Sequence, residues 1–222
     1  MDNTIYCIWS PGSPEMPQNR RFLLEDFKKK SECNVILIDE KNLNEYIIKE
    51  HPLHDAFNYL TPVHKSDYLR CYIMNFHGGG YSDVKSTKSS WINAFNKLNE
   101  DDNKWLCGYP ELNAGFAIPY VPARSRWYDL IGNGCFICKK QTPYTIAIYN
   151  NIIDILDKKL DKLKKFGWKN NDNQDIWMGN KNYPLEYTEI LGQITHKHQL
   201  EYSNHILNIL PWFECHGIDY RK

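Results

Sequence analysis

The sequence predicts an α/β fold with a mostly parallel sheet flanked by helices. Short β-rich apolar runs alternate along the chain with segments of helical periodicity, which is typical of such a sheet. The run Asn34–Ile38 (NVILI) is continuously apolar, as expected of a strand covered on both faces. No internal repeat, low-complexity segment or linker interrupts the 222 residues, and this length suits one large domain or two small ones.

The composition argues against a nucleic-acid-binding protein and against a disulfide-stabilised one. Lys+Arg and Asp+Glu both count 27, so the net charge is zero, whereas nucleic-acid-binding proteins are usually basic. The seven cysteines are odd in number and lie mostly in apolar runs, which favours reduced, buried thiols. The N-terminus lacks a signal-peptide pattern and no run reaches 18 apolar residues, so we expect a soluble, cytoplasmic protein.

The first half of the chain predicts three strands and several helices. Strands are expected at Ile5–Trp9, Asn34–Ile38 and Tyr81–Val84, and a helix at Pro17–Lys30. Two short helices are expected over 42–50 and 53–60. A longer helix starts with Thr61 as its cap and Pro62 at its first position, and it ends at His77 before Gly78.

The second half continues the alternation with less regular spacing. Helices are expected over 89–99, 143–166 and 184–196, and strands over 105–109, 116–118 and 135–138. The helix over 143–166 has the clearest amphipathic pattern. The segments 120–134 and 167–175 read as irregular, and 206–213 is a last apolar run.

Candidate functional residues cluster at predicted strand ends. Trp9, Asp39 and Asp83 each lie at the carboxyl end of a predicted strand, and parallel sheets bind ligands at that edge. Asp67 and Arg70 are three apart on one helix and therefore neighbours. They form either a surface ion pair or a pair directed at a ligand.

The stretch after that helix is unusual for a plain scaffold. Gly78-Gly79-Gly80 orders three of the most flexible residues, which suggests a tight turn or a close ligand. In the following strand, Ser82 and Val84 would share one face, and Asp83 and Lys85 the other. A carboxylate and an amine so placed could hold a ribose hydroxyl and a phosphate.

Other motifs are weaker indications of a function. His77-Gly-Gly-Gly resembles a hydrolase oxyanion motif, but the sequence has neither G-x-S-x-G nor G-x-G-x-x-G. Cys135 and Cys138 would face opposite sides of a strand, which disfavours a zinc or redox pair. The His51/His54 and His196/His198 pairs lack a third ligand and are interpreted as surface histidines.

The motif HKSDYLR followed by GGGYSDVK resembles the glycosyltransferase family with a DXD sugar-binding region. It is also similar to capsular-polysaccharide-synthesis proteins and, most of all, to small glycosyltransferases encoded by large algal viruses, through IYCIWS, HPLH and PLEYTEILG. The resemblance implies a single domain with a GT-A fold on one continuous, Rossmann-like sheet, with a nucleotide-binding half over about 1–110 and an acceptor half over about 111–222. For a viral protein it implies the host cytoplasm.

The resemblance also implies roles for individual residues. The protein would transfer a hexose or deoxyhexose from a UDP-sugar to a glycan or glycoprotein hydroxyl, with Trp9 stacking on uracil. Asp67 and Arg70 would contact sugar hydroxyls or phosphate, and Asp83 would take the role of the first DXD aspartate. The neighbouring residues expected around the donor are Ser10, Asp39, Lys65, Ser82, Val84 and Lys85.

Lys85 departs from the family's pattern, which has a second, metal-binding aspartate there. Lysine in place of aspartate changes the charge by about two units, as much as one divalent ion brings. Either Lys85 neutralises the diphosphate without metal, or Asp83 still holds Mn²⁺ or Mg²⁺ with a further ligand such as His216. We expect a weakly bound ion, held mostly by the diphosphate.

Catalysis by inversion would need a carboxylate base, for which Asp172, Asp175 and Glu189 are the candidates. Each also suits a purely structural role, as a loop, cap or helix-surface residue. The main alternative function is a sugar-nucleotide- or glycan-binding module that has lost catalysis. A remoter one is a structural domain whose glycines only make turns.

Overall fold

The computed structural model describes residues 1–111, 113, 118–168, 179 and 181–215. The strands in this part of the chain are β1 Thr4–Ile8, β2 Asn34–Ile38, β3 Gly79–Ser82, β4 Ser86–Thr87, β5 Leu106–Pro110, β6 Ile131–Cys138, β7 Ile206–Leu207 and β8 Phe213–Glu214. The α-helices are α1 Gln18–Ser31, α2 Pro62–Phe76, α3 Ile92–Glu100, α4 Pro143–Phe166 and α5 Gly192–Glu201.

One sheet carries the fold, with strand order β2-β1-β3-β6-β5-β7. β1 pairs in parallel with β2 and β3, and β5 pairs in parallel with β7. β6 is antiparallel to both β3 and β5, so the other strands of this sheet all run in one direction. The predicted mostly parallel sheet is confirmed. β4 and β8 form a separate antiparallel pair.

Helices cover both faces of the sheet. On one face, α2, α4 and α5 contribute Leu69, Ile152 and Ile194 to the larger apolar core. On the other face, α1 and α3 contribute Phe27 and Phe95 to a second core. The two layers of helices exclude water from both sides of the central strands, as the continuous apolar run in β2 indicated.

The ends of α2 are set by local sequence, as predicted. The Thr61 hydroxyl accepts a hydrogen bond of 3.2 Å from the His64 N–H, and Pro62 occupies the first turn. After the helix, Gly78 and Gly79 have φ of +71° and +92°, a region that favours glycine. These two residues reverse the chain from α2 directly into β3.

β3 begins at Gly79 rather than at Tyr81 because the glycines let it lie close to β1. A Cβ on Gly79 would lie 2.7 Å from the Thr4 carbonyl oxygen, so a side chain there would displace the neighbouring strand. The strand also ends earlier than predicted. The Lys85 N–H donates to the Asp83 carbonyl over 2.7 Å, so Asp83 and Lys85 lie in a turn after β3.

Several predicted helices differ from the observed ones. The segments 42–50 and 53–60 contain only the short 3-10 helices Leu43–Tyr46 and Asp55–Tyr59. α3 begins at Ile92, and residues 184–191 form turns before α5. In these places tertiary contacts outweigh local helical periodicity.

The strands of the second half differ as well. β6 is eight residues long and starts inside the segment that read as irregular, which otherwise holds a 3-10 helix over Val121–Asp129. The final apolar run is split between β7 and β8. Ile118 is not in a strand, and 116 and 117, like most of 167–175, lie outside the described residues.

The cysteines are free thiols, and most are buried. Cys135 and Cys138 lie in the cores on opposite faces of the sheet, as the strand periodicity predicted. Within the described ranges, no helix combines the length and apolar character that a membrane crossing requires.

We expect Gly79→Ala to destabilise the protein by roughly 1–3 kcal/mol, because it forces a left-handed backbone and a clash with the Thr4 carbonyl. The free energy of unfolding from urea titration measures this cost. Gly134→Ala is a suitable control, since a Cβ there would first meet only the Tyr109 hydroxyl, at 3.2 Å. Equal stability of the two variants would contradict the close approach of β3 to β1.

Candidate functional site

A cleft of about 700 Å³ opens where β1 and β3 end and β6 begins. Because β6 is antiparallel to β3, its N-terminal end lies at the carboxyl edge of the parallel strands. The polar residues that line the cleft include Ser10, Arg20, Asp67, Arg70, Asp83, Lys85 and Asn133, and its aromatic residues are Trp9, Tyr81, Tyr109, Tyr187 and Phe213.

Arg70 lies at the floor of the cleft between two carboxylates. Its Nη2 is 3.1 Å from Asp67 Oδ1 and 3.6 Å from Asp83 Oδ1. Its Nη1 donates to the Asn133 carbonyl over 2.8 Å, and the guanidinium lies 4.4 Å from the centre of the Tyr81 ring. The side chains of Arg70 and Asp67 are only 9% and 6% exposed, which rules out a surface ion pair.

Asp83 is held between two cations. Its Oδ1 accepts a hydrogen bond of 2.9 Å from the Tyr81 hydroxyl, and its Oδ2 lies 3.1 Å from Lys85 Nζ. Lys85 Nζ also lies 4.1 Å from the centre of the Phe213 ring. Asp83 and Lys85 are therefore together, as predicted, although a turn rather than a strand places them.

The two carboxylates differ in acidity. Burial raises the pKa of Asp67 to about 6, although Arg70 opposes this rise. Burial also favours a higher pKa at Asp83, but Lys85 and Arg70 outweigh it and hold that pKa below its ordinary value. Asp83 is thus a fixed negative charge at neutral pH, whereas Asp67 titrates just below neutrality.

The outer wall of the cleft is built from the loop after β1. The Trp9 backbone N–H donates to the Ile38 carbonyl and its indole Nε1–H to the Pro14 carbonyl, both over 2.8 Å. The Ser10 hydroxyl donates to the Pro62 carbonyl over 2.5 Å. These bonds fix Trp9 in the lining of the cleft at the end of the first strand.

Some residues predicted around the donor lie beside the cleft rather than in its lining. Asp39 Oδ1 accepts the Lys41 N–H over 2.8 Å. Lys65 Nζ donates to the Pro11 carbonyl and lies 5.4 Å from the centre of the Trp168 ring. Val84 lines the cleft, whereas the Ser82 hydroxyl donates to the Asp83 carbonyl.

Of the three candidate bases, only Glu189 lies in the part of the chain that the structure describes. Both Glu189 oxygens face Lys159 Nζ, at 2.5 and 2.7 Å, and one also accepts the Glu186 N–H over 2.9 Å. Glu189 therefore lies in a turn and is not among the residues lining the cleft. Asp172 and Asp175, together with the candidate metal ligand His216, fall outside the described residues.

The interpretation of His196 and His198 as surface residues is wrong. Both are buried on α5, and His196 is fully so. His196 Nε2 lies 3.3 Å from Glu111 Oε1 and 3.4 Å from Asn133 Nδ2. A row of three polar side chains thus runs from the end of β5 through α5 to the start of β6. The spacing of the two histidines alone did not indicate this burial.

Sequence reasoning missed the segment Gly132-Asn133-Gly134 at the start of β6. A Cβ on Gly132 would lie 2.1 Å from the Tyr109 ring, and one on Gly134 would lie 3.5 Å from Asp83 Oδ2. The two glycines let the strand end pass close to both side chains, and Asn133 lines the cleft. The G-N-G spacing was the available signal, because paired glycines mark close approaches of the backbone.

His64 connects α2 to the turn that precedes α5. Its Nε2–H donates to the Glu186 carbonyl over 3.1 Å, and its Nδ1 accepts from the Tyr183 hydroxyl over 2.9 Å. Burial lowers the pKa of His64 to about 4, against a smaller opposite effect of the bond to Glu186. The neutral imidazole ties α2 to the turn that carries Tyr187 and Thr188 into the cleft.

The described residues do not by themselves fit a divalent metal. No group of three or more His, Cys, Asp or Glu side chains is placed to hold an ion in the ranges that the structure describes. The resemblance suggested an ion on Asp83, but each oxygen of Asp83 already faces a cation, Arg70 or Lys85. A divalent ion prefers an oxygen-rich shell without adjacent positive charge. The metal expected from the resemblance stays a prediction.

Comparisons with known proteins agree with this architecture. Residues 1–99 match the family of capsular polysaccharide synthesis proteins, a range that contains Trp9, Asp67, Arg70, Asp83 and Lys85. Five chains of known structure match, among them PaToxG Glycosyltransferase. The similarity to that protein has a TM-score of 0.50 at 13% sequence identity and covers 90% of this chain and 69% of that one. No curated protein matches. The chain therefore has the α/β fold of a glycosyltransferase of known structure.

The ionisation of Asp67 and that of His64 should have opposite effects on how the free energy of unfolding depends on pH. The folded-state pKa of Asp67 is raised from 3.8, so its contribution falls as pH rises from about 4 to about 6. The folded-state pKa of His64 is lowered from 6.5, so its contribution falls as pH drops from 6.5 to about 4. Each effect is on the order of 3 kcal/mol.

We therefore expect the stability of Asp67→Asn to fall more steeply than that of the wild type between pH 6.5 and 4. The stability of His64→Gln should instead rise over this interval relative to the wild type. Urea unfolding at several pH values measures both slopes. Slopes that superimpose on the wild-type slope would contradict the assigned shifts, whatever the absolute stability of the variants.

Proposed function

We propose that this protein is a glycosyltransferase that moves a hexose or deoxyhexose from a UDP-sugar to a hydroxyl of a glycan or glycoprotein. The observation that carries the proposal is the pair of cations, Arg70 and Lys85, held by Asp83 at the floor of the cleft. The cleft volume of about 700 Å³ lies in the range of small-molecule sites. Its position at the carboxyl edge of a parallel sheet is where such folds bind nucleotides.

Three features support a sugar nucleotide as the donor. Trp9 presents an indole at the end of β1, and an aromatic face suits stacking on a nucleobase. Arg70 and Lys85 suit a diphosphate because guanidinium and ammonium groups form short, charge-assisted bonds to phosphate oxygens. The match of residues 1–99 to capsular polysaccharide synthesis proteins supports polysaccharide chemistry.

The chemistry follows from where charge develops. Glycosyl transfer passes through an oxocarbenium-like transition state, and negative charge builds on the departing diphosphate. Fixed donors aimed at that charge lower the barrier because they need no reorganisation during reaction. Arg70 is fixed by Asp67, Asp83 and the Asn133 carbonyl, and Lys85 by Asp83 and Phe213.

The acceptor side is the wall formed by residues 187–192. Tyr187 and Thr188 line the cleft, and Tyr187 is 45% exposed. An exposed aromatic face beside a hydroxyl suits the apolar face and the hydroxyl groups of a sugar. We assign the glycan acceptor to this wall.

Trp9→Ala should weaken UDP binding by about tenfold or more, because base–aromatic stacking contributes ~1–3 kcal/mol. Isothermal titration calorimetry with UDP and a thermal-shift screen of UDP-sugars measure binding. Phe22→Ala is the control, since Phe22 is an exposed aromatic on α1 outside the cleft lining. Equal loss in both variants, or no response to any UDP-sugar, would contradict the assignment.

Asp172, Asp175 and Glu189 remain the predicted bases. We expect the alanine variant of the true base to keep UDP-sugar binding and to lose transfer, since only proton removal from the acceptor is affected. A radiolabelled-sugar transfer assay beside calorimetry separates the two effects. Unchanged transfer in all three variants would refute the assignment, and Glu189→Ala must first be shown to fold because Glu189 pairs with Lys159. Binding by the wild type without turnover toward any acceptor or water would identify a binding module instead.

A further inference from the structure

The charges at the floor of the cleft balance without a metal ion. Asp67 and Asp83 contribute two negative charges when ionised, and Arg70 and Lys85 contribute two positive charges. All four side chains lie within one connected set of contacts, and Asp67, Arg70 and Lys85 are buried. Buried charges are stable only when compensated, and here the protein itself supplies the compensation.

Lys85 Nζ lies beside Asp83 and competes there with any added cation. It lies 3.1 Å from Asp83 Oδ2, and the Phe213 ring, 4.1 Å away, limits its movement. The other oxygen, Asp83 Oδ1, accepts a hydrogen bond from the Tyr81 hydroxyl and lies 3.6 Å from Arg70 Nη2. A divalent ion bound to either oxygen would lie next to a fixed positive charge, which opposes its binding.

We infer that Lys85 and Arg70 bind the diphosphate of the donor directly and replace a divalent ion, while Asp83 is a positioning residue that holds both cations. This inference rests on the proposed function. Both cations line the cleft, and contacts with Asp83 hold both in place. The same site therefore binds its donor in the absence of Mn²⁺ or Mg²⁺.

Replacing Lys85 by aspartate tests the inference in two ways, because it removes the ammonium group and adds a possible metal ligand. Lys85→Asp lowers the site charge by two units, which is the charge of one divalent ion. It also places a second carboxylate two residues from Asp83, and carboxylates are preferred ligands of Mn²⁺ and Mg²⁺. The substitution should thus convert a metal-independent site into a metal-dependent one.

The experiment is calorimetric titration of UDP into wild type, Lys85→Asp, Lys85→Met and Lys88→Met, each in excess EDTA and in Mn²⁺. Lys88 is exposed, close to Lys85 in sequence and absent from the cleft lining, so Lys88→Met is the matched control. Thermal unfolding first establishes that each variant is folded. Electron paramagnetic resonance of Mn²⁺ in the absence of UDP reports uptake of the ion itself.

We expect the dissociation constants of wild type and Lys88→Met to agree within about threefold between the two buffers. Lys85→Met should lose about ten- to hundredfold in both, the value of a charge-assisted hydrogen bond. Lys85→Asp should lose binding in EDTA and regain it in Mn²⁺, and it alone should take up Mn²⁺ without UDP.

Other results distinguish failure of this inference from failure of the proposed function. Wild-type binding of UDP that requires Mn²⁺, or unchanged affinity of Lys85→Met, would overturn the inference and leave the proposed donor intact. A wild type that binds neither UDP nor any UDP-sugar in either buffer would overturn the proposed function and the inference together.

Discussion

Arg70 is buried between Asp67 and Asp83, and this compensation of charge is the constraint on which the site depends. Removing one partner of a buried ion pair is costly because it leaves an unpaired charge in the interior. The groups around Arg70 come from three elements: α2 carries Asp67 and Arg70 itself, the turn after β3 carries Asp83, and β6 supplies the Asn133 carbonyl. The groups around Arg70 therefore come into contact only when these elements are packed together.

Through this arrangement α2 belongs both to the core and to the lining of the cleft. Most of its residues are buried, and its apolar side packs under α4. Its first turn is tied through His64 to the turn that carries Tyr187, and its last turns lead through Gly78 and Gly79 into β3. A change in the packing of α2 therefore affects both walls of the cleft.

The shared fold and the site support different levels of the functional conclusion. A TM-score of 0.50 at 13% identity relates this chain to a solved glycosyltransferase in architecture, and one architecture can serve many reactions. The choice of a sugar nucleotide depends instead on Trp9, Arg70 and Lys85, whose chemistry suits a base and a diphosphate. Because Lys85 places an ammonium group beside Asp83, it also provides the physical reason to separate donor binding from metal binding.

The sequence by itself determined the local features of this protein. The buried strand Asn34–Ile38, the Thr61 cap, the stop at Gly78 and the neighbouring Asp67 and Arg70 all follow from short-range rules of periodicity and capping. The carboxyl-edge position of Trp9 and Asp83 followed from the predicted parallel strands.

Only the tertiary structure decided which of these residues meet. Asn133, Glu111 and His196 are distant in sequence, and they come together because β6 runs antiparallel between β3 and β5. Glu189 is directed to Lys159 by a contact between residues 30 positions apart, which no local pattern encodes. Burial raises the pKa of Asp67, whereas Lys85 and Arg70 outweigh the same effect at Asp83. The two acidities differ because the free energy of a charge depends on its surroundings and not on its place in the chain.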